Sequence, residues 1–253
     1  CDRLKEIVET TYGSTITSTT TTIEYNDFIG NPSKIIKDAE TLNLTWQGRR
    51  LTGINGYTFE YDDNGIRTAK LGSNLNKRFV LEGTKIIQEK NLLDPTKDIF
   101  FNYDESGLLI GFTLREKEYF YKRDITGNII NVVDSTGCYL VKYGYNAWGI
   151  PTKTALLNTD EVDLVLEVNP FIYKGYYYDE ETNLFLVTSR YYSPELGRFI
   201  QPADVSSLNP SSINGLNLYS YANNNPIGIA YSSSNVGFGN SGGMVSSIAS
   251  SVG

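Results

Sequence analysis

Tyr61-Asp62-Asp63-Asn64-Gly65 recurs as Tyr103-Asp104-Glu105-Ser106-Gly107 and again as Tyr145-Asn146-Ala147-Trp148-Gly149. Tyr25-Asn26-Asp27-Phe28-Ile29-Gly30-Asn31 is the same unit with one extra residue. Asp124-Ile125-Thr126-Gly127 and Asp134-Ser135-Thr136-Gly137 carry the Asp-x-x-Gly half alone. The frame has a direct physical meaning. Asp or Asn opens a turn by accepting from its own downstream backbone, and Gly supplies the positive φ that closes it. Flanking segments alternate in polarity, as in Phe59-Glu60-Tyr61 and Leu109-Ile110-Gly111-Phe112-Thr113-Leu114, so each unit reads as a β-hairpin. Glycines at 30, 48, 65 and 83 mark the same period. An isolated hairpin is marginal in water, whereas a run of them stacked side by side buries a continuous core.

Composition agrees with strands and turns. The chain of 253 residues has 19 Tyr and 11 Phe but one Met, with 23 Gly. Aromatic enrichment suits strands better than helices. A net charge of −7 without a dense basic cluster argues against a nucleic-acid or anionic-lipid partner. No apolar run approaches the roughly 18 residues of a membrane span. Histidine is absent, which removes Ser-His and Cys-His nucleophilic pairs and His-ligated zinc together. Cys1 and Cys138 are too few and too far apart to imply a disulfide framework or a cysteine metal site. No cofactor is expected.

Four segments follow from this reading. Residues 1–153 form an array of antiparallel hairpins. Residues 154–168, with Asp160-Glu161-Val162-Asp163-Leu164-Val165-Leu166-Glu167, read as an acidic connecting loop or one short helical turn. Residues 169–231 are densest in motifs. Residues 232–253 are rich in Gly and Ser and read as a tail or linker.

The motif-dense part carries a resemblance. Residues 169–201, from Asn169-Pro170-Phe171-Ile172-Tyr173 through Ser189-Arg190-Tyr191-Tyr192 to Gly197-Arg198-Phe199-Ile200-Gln201, closely resemble the RHS-repeat-associated core of bacterial RHS/YD-repeat proteins. Asn214-Gly215-Leu216-Asn217-Leu218-Tyr219-Ser220-Tyr221-Ala222-Asn223-Asn224-Asn225-Pro226 resembles the second half of that core. The upstream units, with Trp46-Gln47-Gly48-Arg49-Arg50-Leu51, look like YD repeats, and Cys1-Asp2-Arg3-Leu4 looks like a repeat cut at its start, as if the array were longer. The resemblance implies an all-β fold in which YD-repeat hairpins wind as a spiral shell closed by the core segment. It further implies a C-terminal effector, absent from this chain, enclosed by this and the remaining shell and delivered by a bacterial protein that is secreted or at the cell surface.

Some members of that family cut themselves between core and effector with two aspartates and a supporting arginine. The arginine matches Arg190. The first aspartate position falls on Ala203, with Asp204 one place later. The stretch matching the second, Ile227-Gly228-Ile229-Ala230-Tyr231-Ser232, has no carboxylate. Paired-carboxylate chemistry needs one group protonated while the other accepts, so self-cleavage by Arg190 and Asp204 is expected to be impaired.

Other motifs weigh less. Gly239-Asn240-Ser241-Gly242-Gly243 has the Gly-x-Ser-x-Gly form but no general base. Gly237-Phe238-Gly239-Asn240-Ser241-Gly242 lacks the sequence a dinucleotide site needs after it. Glu60, Asp62, Asn64 and Gly65 begin like a calcium loop, but its twelfth position is Leu71. Asn43-Leu44-Thr45 is a glycosylation sequon, of little meaning in a bacterial protein. Asp160, Glu161, Asp163 and Glu167 read as a solvated face before a cation site. Tyr176-Tyr177-Tyr178 and Tyr191-Tyr192 could stack sugars, but lodging in the wall with alternate rings in and out is the stronger reading. Three functions therefore stand in order: a shell around an effector, a self-cleaving core, and an adhesin that binds a cell-surface receptor or glycan.

Overall fold

In a computed structural model, the chain is described over residues 3–12, 15–211 and 214–227. Strands β1 (Glu6–Thr11), β2 (Thr17–Tyr25), β3 (Pro32–Lys37), β4 (Glu40–Gln47) and β5 (Arg50–Ile54) open the array. They are followed by β6 (Tyr57–Tyr61), β7 (Arg67–Leu71), β8 (Asn76–Glu82), β9 (Lys85–Asn91) and β10 (Ile99–Tyr103). The array ends with β11 (Leu109–Leu114), β12 (Lys117–Arg123), β13 (Ile129–Asp134), β14 (Tyr139–Tyr145) and β15 (Pro151–Ala155). All fifteen form one sheet in strict chain order, each antiparallel to its neighbour. A second sheet holds β16 (Tyr177–Asp179), β17 (Leu184–Val187), β18 (Arg190–Ser193) and β19 (Arg198–Phe199).

The turns are built as their residues dictate. Asp104 Oδ1 accepts from the backbone N–H of Ser106 and Leu108, and Gly107 at φ 83° donates to the Asp104 carbonyl. Asp124, Asp134 and Asn146 repeat the arrangement. Asp62, at the head of the calcium-like stretch, accepts from Ile66 N–H in the same way.

Just before the turns at Asp27, Asp62, Asp104 and Asp124 the pairing slips by one residue, at Glu24/Tyr25, Glu60/Tyr61, Asn102/Tyr103 and Lys122/Arg123, whereas β14 and β15 pair up to Tyr145 without a slip. Such a bulge bends the strand and adds right-handed twist. The residue that ends the strand before several of the turns carries a long donor aimed at an earlier carbonyl. Tyr25 Oη donates to Leu4 O at 2.9 Å, Tyr61 to Leu51 O at 2.6 Å, Tyr103 to Ile86 O at 2.9 Å and Tyr145 to Ile129 O at 2.6 Å. Trp46 Nε1 does the same to Pro32 O, and Arg123 Nη2 to Leu109 O. The unit at Asp124 is therefore not a half-repeat: Arg123 occupies the tyrosine's place.

Residues 160–168, read from sequence as an acidic loop or one short helical turn, extend the helical alternative. They form a nine-residue helix, α1 (Asp160–Val168). Thr159 caps it by accepting from Val162 N–H, and Asp160, Glu161 and Asp163 lie in its first turn, where the helix dipole favours carboxylates. Its buried residues Val162, Val165 and Val168 recur every three positions and lie against β14 and β15. The valines suit strands by propensity, and tertiary burial overrides it.

The second sheet and the wall of hairpins share one hydrophobic core. Rings join them across the interface: Phe59 stacks on Tyr191 at 5.7 Å, Phe79 meets Tyr177 edge-on at 5.5 Å and Phe101 meets Phe171 at 4.8 Å. Tyr177, Tyr178, Tyr191 and Tyr192 are all buried. The expectation of alternate rings in and out of a wall is thus corrected. Alternation holds within the second sheet, but both of its faces are covered. Tyr191 faces Phe59, whereas Tyr192 stacks on Tyr221 at 3.9 Å and donates to Trp148 O.

Tyr145→Phe removes the bond to the Ile129 carbonyl and is expected to cost about 1 kcal/mol in urea unfolding. Gly111→Ala places a Cβ 2.0 Å from the Tyr119 carbonyl oxygen, and should destabilise more than the same change at the open turn of Gly137.

Candidate functional site

The polar heart of the molecule lies where the second sheet meets β7–β9. Arg67 and Lys70 point inward from β7 and are 1% and 2% exposed; Asp179, at the end of β16, is fully covered. Arg67 grips Asp179 through two parallel bonds of 2.6 and 3.0 Å. Lys70 Nζ lies 2.7 Å from Asp179 Oδ1 and 2.8 Å from Glu181 Oε1. The Arg67 guanidinium is boxed by the rings of Phe59, Phe79, Tyr177 and Tyr191 at 4.9 to 5.9 Å. It also donates to Tyr191 Oη, which bonds Tyr61 Oη at 3.0 Å. Beside this cluster, buried Glu89 pairs with Lys77 and accepts from Tyr177 Oη. Three cations thus face three carboxylates.

Burial alone would raise the Asp179 pKa, but Arg67 and Lys70 outweigh it and hold the carboxyl below its usual value. Asp179 likewise drives the Arg67 pKa well above the ordinary guanidinium value against the opposing effect of burial. Asp179 favours the charged forms of Arg67 and Lys70, and they favour its own, so the three are held as a fixed set of charges. A second buried hub sits at Asn169, which accepts from Tyr121 Oη at 2.6 Å and donates to Tyr143 Oη and Phe171 O.

Next to the cluster lies a cavity of about 180 Å³ whose rim includes Lys70, Lys77, Lys97, Lys153, Glu167 and Glu181. Each lysine is already engaged: Lys97 with Glu167, Lys153 with Glu180, and the other two as above. Among the described residues no group of three His, Cys, Asp or Glu could hold a metal ion. The acidic residues of α1 are distributed in the same way, Glu161 accepting from Lys117 and Tyr119.

The residues singled out for self-cleavage are placed apart in role. Arg190 opens β18, largely buried, with its guanidinium 3.5 Å from the centre of the Phe199 ring and a long bond of 3.4 Å to Leu218 O. Burial without a carboxylate beside it lowers its pKa to about 10. Ala203 N–H donates to the same Leu218 carbonyl. Position 203 is therefore the one brought beside Arg190, and it has no carboxylate. Asp204 is exposed and turned elsewhere. It accepts from Ser206 N–H at the head of a short 3-10 turn and pairs with Arg49 at the tip of the β4–β5 hairpin. The Ser206 backbone bond, with the Ser206 side chain and Arg49, lowers its pKa to about 2. No hydrogen bond or ion pair joins Arg190 to Asp204 among the described residues. Residues 228–232 and the motifs at 237–243 lie outside them.

Sequence reasoning missed Arg67, Lys70 and Asp179. The charges of Ile66-Arg67-Thr68-Ala69-Lys70-Leu71 look like the polar face of a strand, and their partner lies 112 positions away from Arg67. The one available signal was the charge at both 67 and 70, which cannot share a face in a period-2 strand.

Asp179→Asn keeps the shape and removes the charge between Arg67 and Lys70. It should cost about 3–5 kcal/mol in urea unfolding, as for other broken buried pairs, whereas exposed Glu180→Gln should cost about 1 kcal/mol or less. With the Asp179 pKa depressed on folding, the cluster's contribution is complete above the unfolded value of about 3.9. It is lost only as pH falls through the lower folded value, which an acid-unfolding series of wild type against Asp179→Asn would resolve.

Comparisons with known proteins agree with this architecture. The Teneurin YD-shell family model matches residues 86–227. The tRNA3(Ser)-specific nuclease WapA of Bacillus spizizenii is 37% identical over 174 residues, covering 67% of this chain and 7% of that protein. Double-stranded DNA deaminase toxin A of Burkholderia cenocepacia is 27% identical over 218 residues, 76% of this chain and 14% of that one. Among solved structures, the Photorhabdus luminescens Tc holotoxin pore aligns with a TM-score of 0.49 and 18% identity, over 88% of this chain and 13% of that chain. The chain spans only 7% of the length of the WapA relative. Its hairpins in strict sequence order and the family match over more than half its length identify it as a member of the teneurin YD-shell family.

Proposed function

We propose that this chain is a wall-and-core segment of a bacterial toxin shell, secreted or displayed at the cell surface, that encloses a C-terminal effector and retains it uncut. The observation that carries this reading is the second sheet: buried on both faces and locked to the hairpin wall by Asp179, Arg67 and Lys70. Such a sheet is a closure, not a catalytic platform. The names of the relatives, a nuclease and a deaminase toxin, support an effector beyond the shared region. The proposed partners are that effector and the rest of the shell, and delivery to a competitor cell follows from the same reading.

Self-cleavage by Arg190 and Asp204 is the weaker reading. A carboxylate held ionised at the head of a turn and paired with Arg49 cannot serve as the protonated member of an acid pair. The adhesive reading is weakened as well, because, of the two tyrosine clusters, Tyr177, Tyr178, Tyr191 and Tyr192 are buried and Tyr176 is half-buried.

The test is denaturing intact mass on a chain continued into its natural downstream sequence, with parallel limited proteolysis. One full-length species is expected, unchanged by Asp204→Asn or Arg190→Ala, with the downstream part resistant to protease until the shell is unfolded. Two species with a junction near residues 226–235, merging into one in either variant, would replace this reading with self-cleavage. A downstream part digested as fast in the native protein as in urea would end the enclosure reading.

A further inference from the structure

Beside the buried ion cluster, the cavity of about 180 Å³ is lined by charges of both signs. Lys77 and Lys97 enter it from the hairpin wall. Lys77 lies opposite Asn91 across β8 and β9, and the Asn91 N–H donates to Asp98, the neighbour of Lys97. Glu180 and Glu181 enter from the second sheet, directly after β16. At the rim the space meets solvent, for the side chains of Glu167 and Glu180 are 58% and 63% exposed.

Charge balance and unspent hydrogen bonds decide what such a space can hold. Four lysines and three glutamates line it, and the buried partners behind them are Arg67, Asp179 and Glu89, so five cations meet five carboxylates. A simple anion or cation would give up its hydration shell and meet as much repulsion as attraction. The rim pairs, by contrast, are only half used. Glu180 gives one oxygen to Lys153 and Glu167 gives one to Lys97, and the other oxygen of each has no partner among the described residues. An ammonium carries three donors, and Lys97 and Lys153 each spend one on these pairs. A guest that brings an anion and a cation together serves both kinds of group without breaking an ion pair.

We propose that this cavity binds a small α-amino acid as its zwitterion, the carboxylate received by Lys77 and Lys97 and the ammonium by Glu180 and Glu181. Room selects the size. A cavity of roughly 150 Å³ admits benzene, so this one takes an amino acid of alanine, serine or valine size and excludes a nucleotide. Leu75, Val168 and the Tyr178 ring give the side chain an apolar wall. Because the site is built from the hairpins, the end of α1 and the second sheet, occupancy ties the three together and stabilises the folded chain alone.

The test is thermal unfolding of the full chain with alanine, and with propionate and ethylamine, which each keep one of its two charges, at constant ionic strength. Alanine is expected to raise Tm along a saturable curve, while propionate and ethylamine leave it unmoved. Glycine betaine, a zwitterion without an N–H, reports the general stabilisation by excluded solutes, which does not saturate. Glu180→Gln should weaken alanine binding by about tenfold or more, the loss of one hydrogen bond to a charged group, and gain saturable propionate binding. Lys97→Gln should weaken alanine likewise and gain ethylamine. A purely structural role would not exchange one ligand for another. A rise with alanine that runs linear and parallel to betaine would mean that the cavity holds only water. Saturable propionate binding by the wild type would make it an anion site, and alanine binding unchanged in both variants would place the amino acid elsewhere; either result overturns the proposal. Should a variant fail to fold, the wild-type series decides on its own.

Discussion

Asp179 is the residue on which the arrangement of wall and core depends. Its carboxylate is shared by Arg67 and Lys70, all three without access to water. Aromatic and aliphatic contacts supply most of the adhesion between the two sheets, but they are non-directional and tolerate sliding. The ion cluster does not. A shift of the second sheet by one residue would turn Tyr178 towards Arg67 and strand three charges in a dry space. A buried cluster of this kind adds little net energy over well-packed apolar groups, yet it heavily penalises every wrong register. The surrounding rings serve the same end, because they exclude water and leave the guanidinium no alternative partner.

The wall is held by a different device, repeated from hairpin to hairpin. A bulge before many of the turns bends the strand, and at Tyr25, Trp46, Tyr61, Tyr103, Arg123 and Tyr145 a long side chain reaches back to a carbonyl. Tyrosine suits the position because its ring fills the bend while its hydroxyl reaches across. Trp46 and Arg123 share with tyrosine length, planarity and a hydrogen-bond donor at the tip, and those suffice. A repeat selected on geometry can therefore decay in sequence without losing its fold. The glycine of each turn is less replaceable, since the positive φ at Gly65 or Gly107 is open to few side chains.

This difference explains what the sequence disclosed. The hairpin array was legible from Asp-x-x-Gly because turn chemistry is local: every bond that Asp104 makes lies within four residues. The helix at 160–168 was half legible. Thr159 and the acids that follow are a proper N-terminal signal, but three valines mask it. The ion cluster was not legible, for its members are far apart in the chain and each looks ordinary alone. Tyr177 and Tyr178 were visible as a cluster, but their burial depends on a second layer of structure covering both faces of a short sheet, which no periodicity in a three-residue strand announces.

The closing segment shows how much a single position of displacement alters chemistry. Leu218 O receives both Arg190 and the backbone of residue 203, so the fold still assembles an arginine beside that position. A carboxylate at 203 would have met a buried cation with no competing partner. At 204 the carboxylate instead meets solvent, the N–H of Ser206 and Arg49. The consequence runs in both directions. Among the described residues Arg190 meets an aromatic face and one distant carbonyl, and burial lowers its pKa. Asp204 gains a structural post, joining the closing segment to the β4–β5 hairpin and holding its charge under all but strongly acidic conditions. A group whose proton affinity is suppressed by three favourable contacts is suited to bearing charge, not to passing protons, and the geometry that makes it a good tie makes it a poor acid.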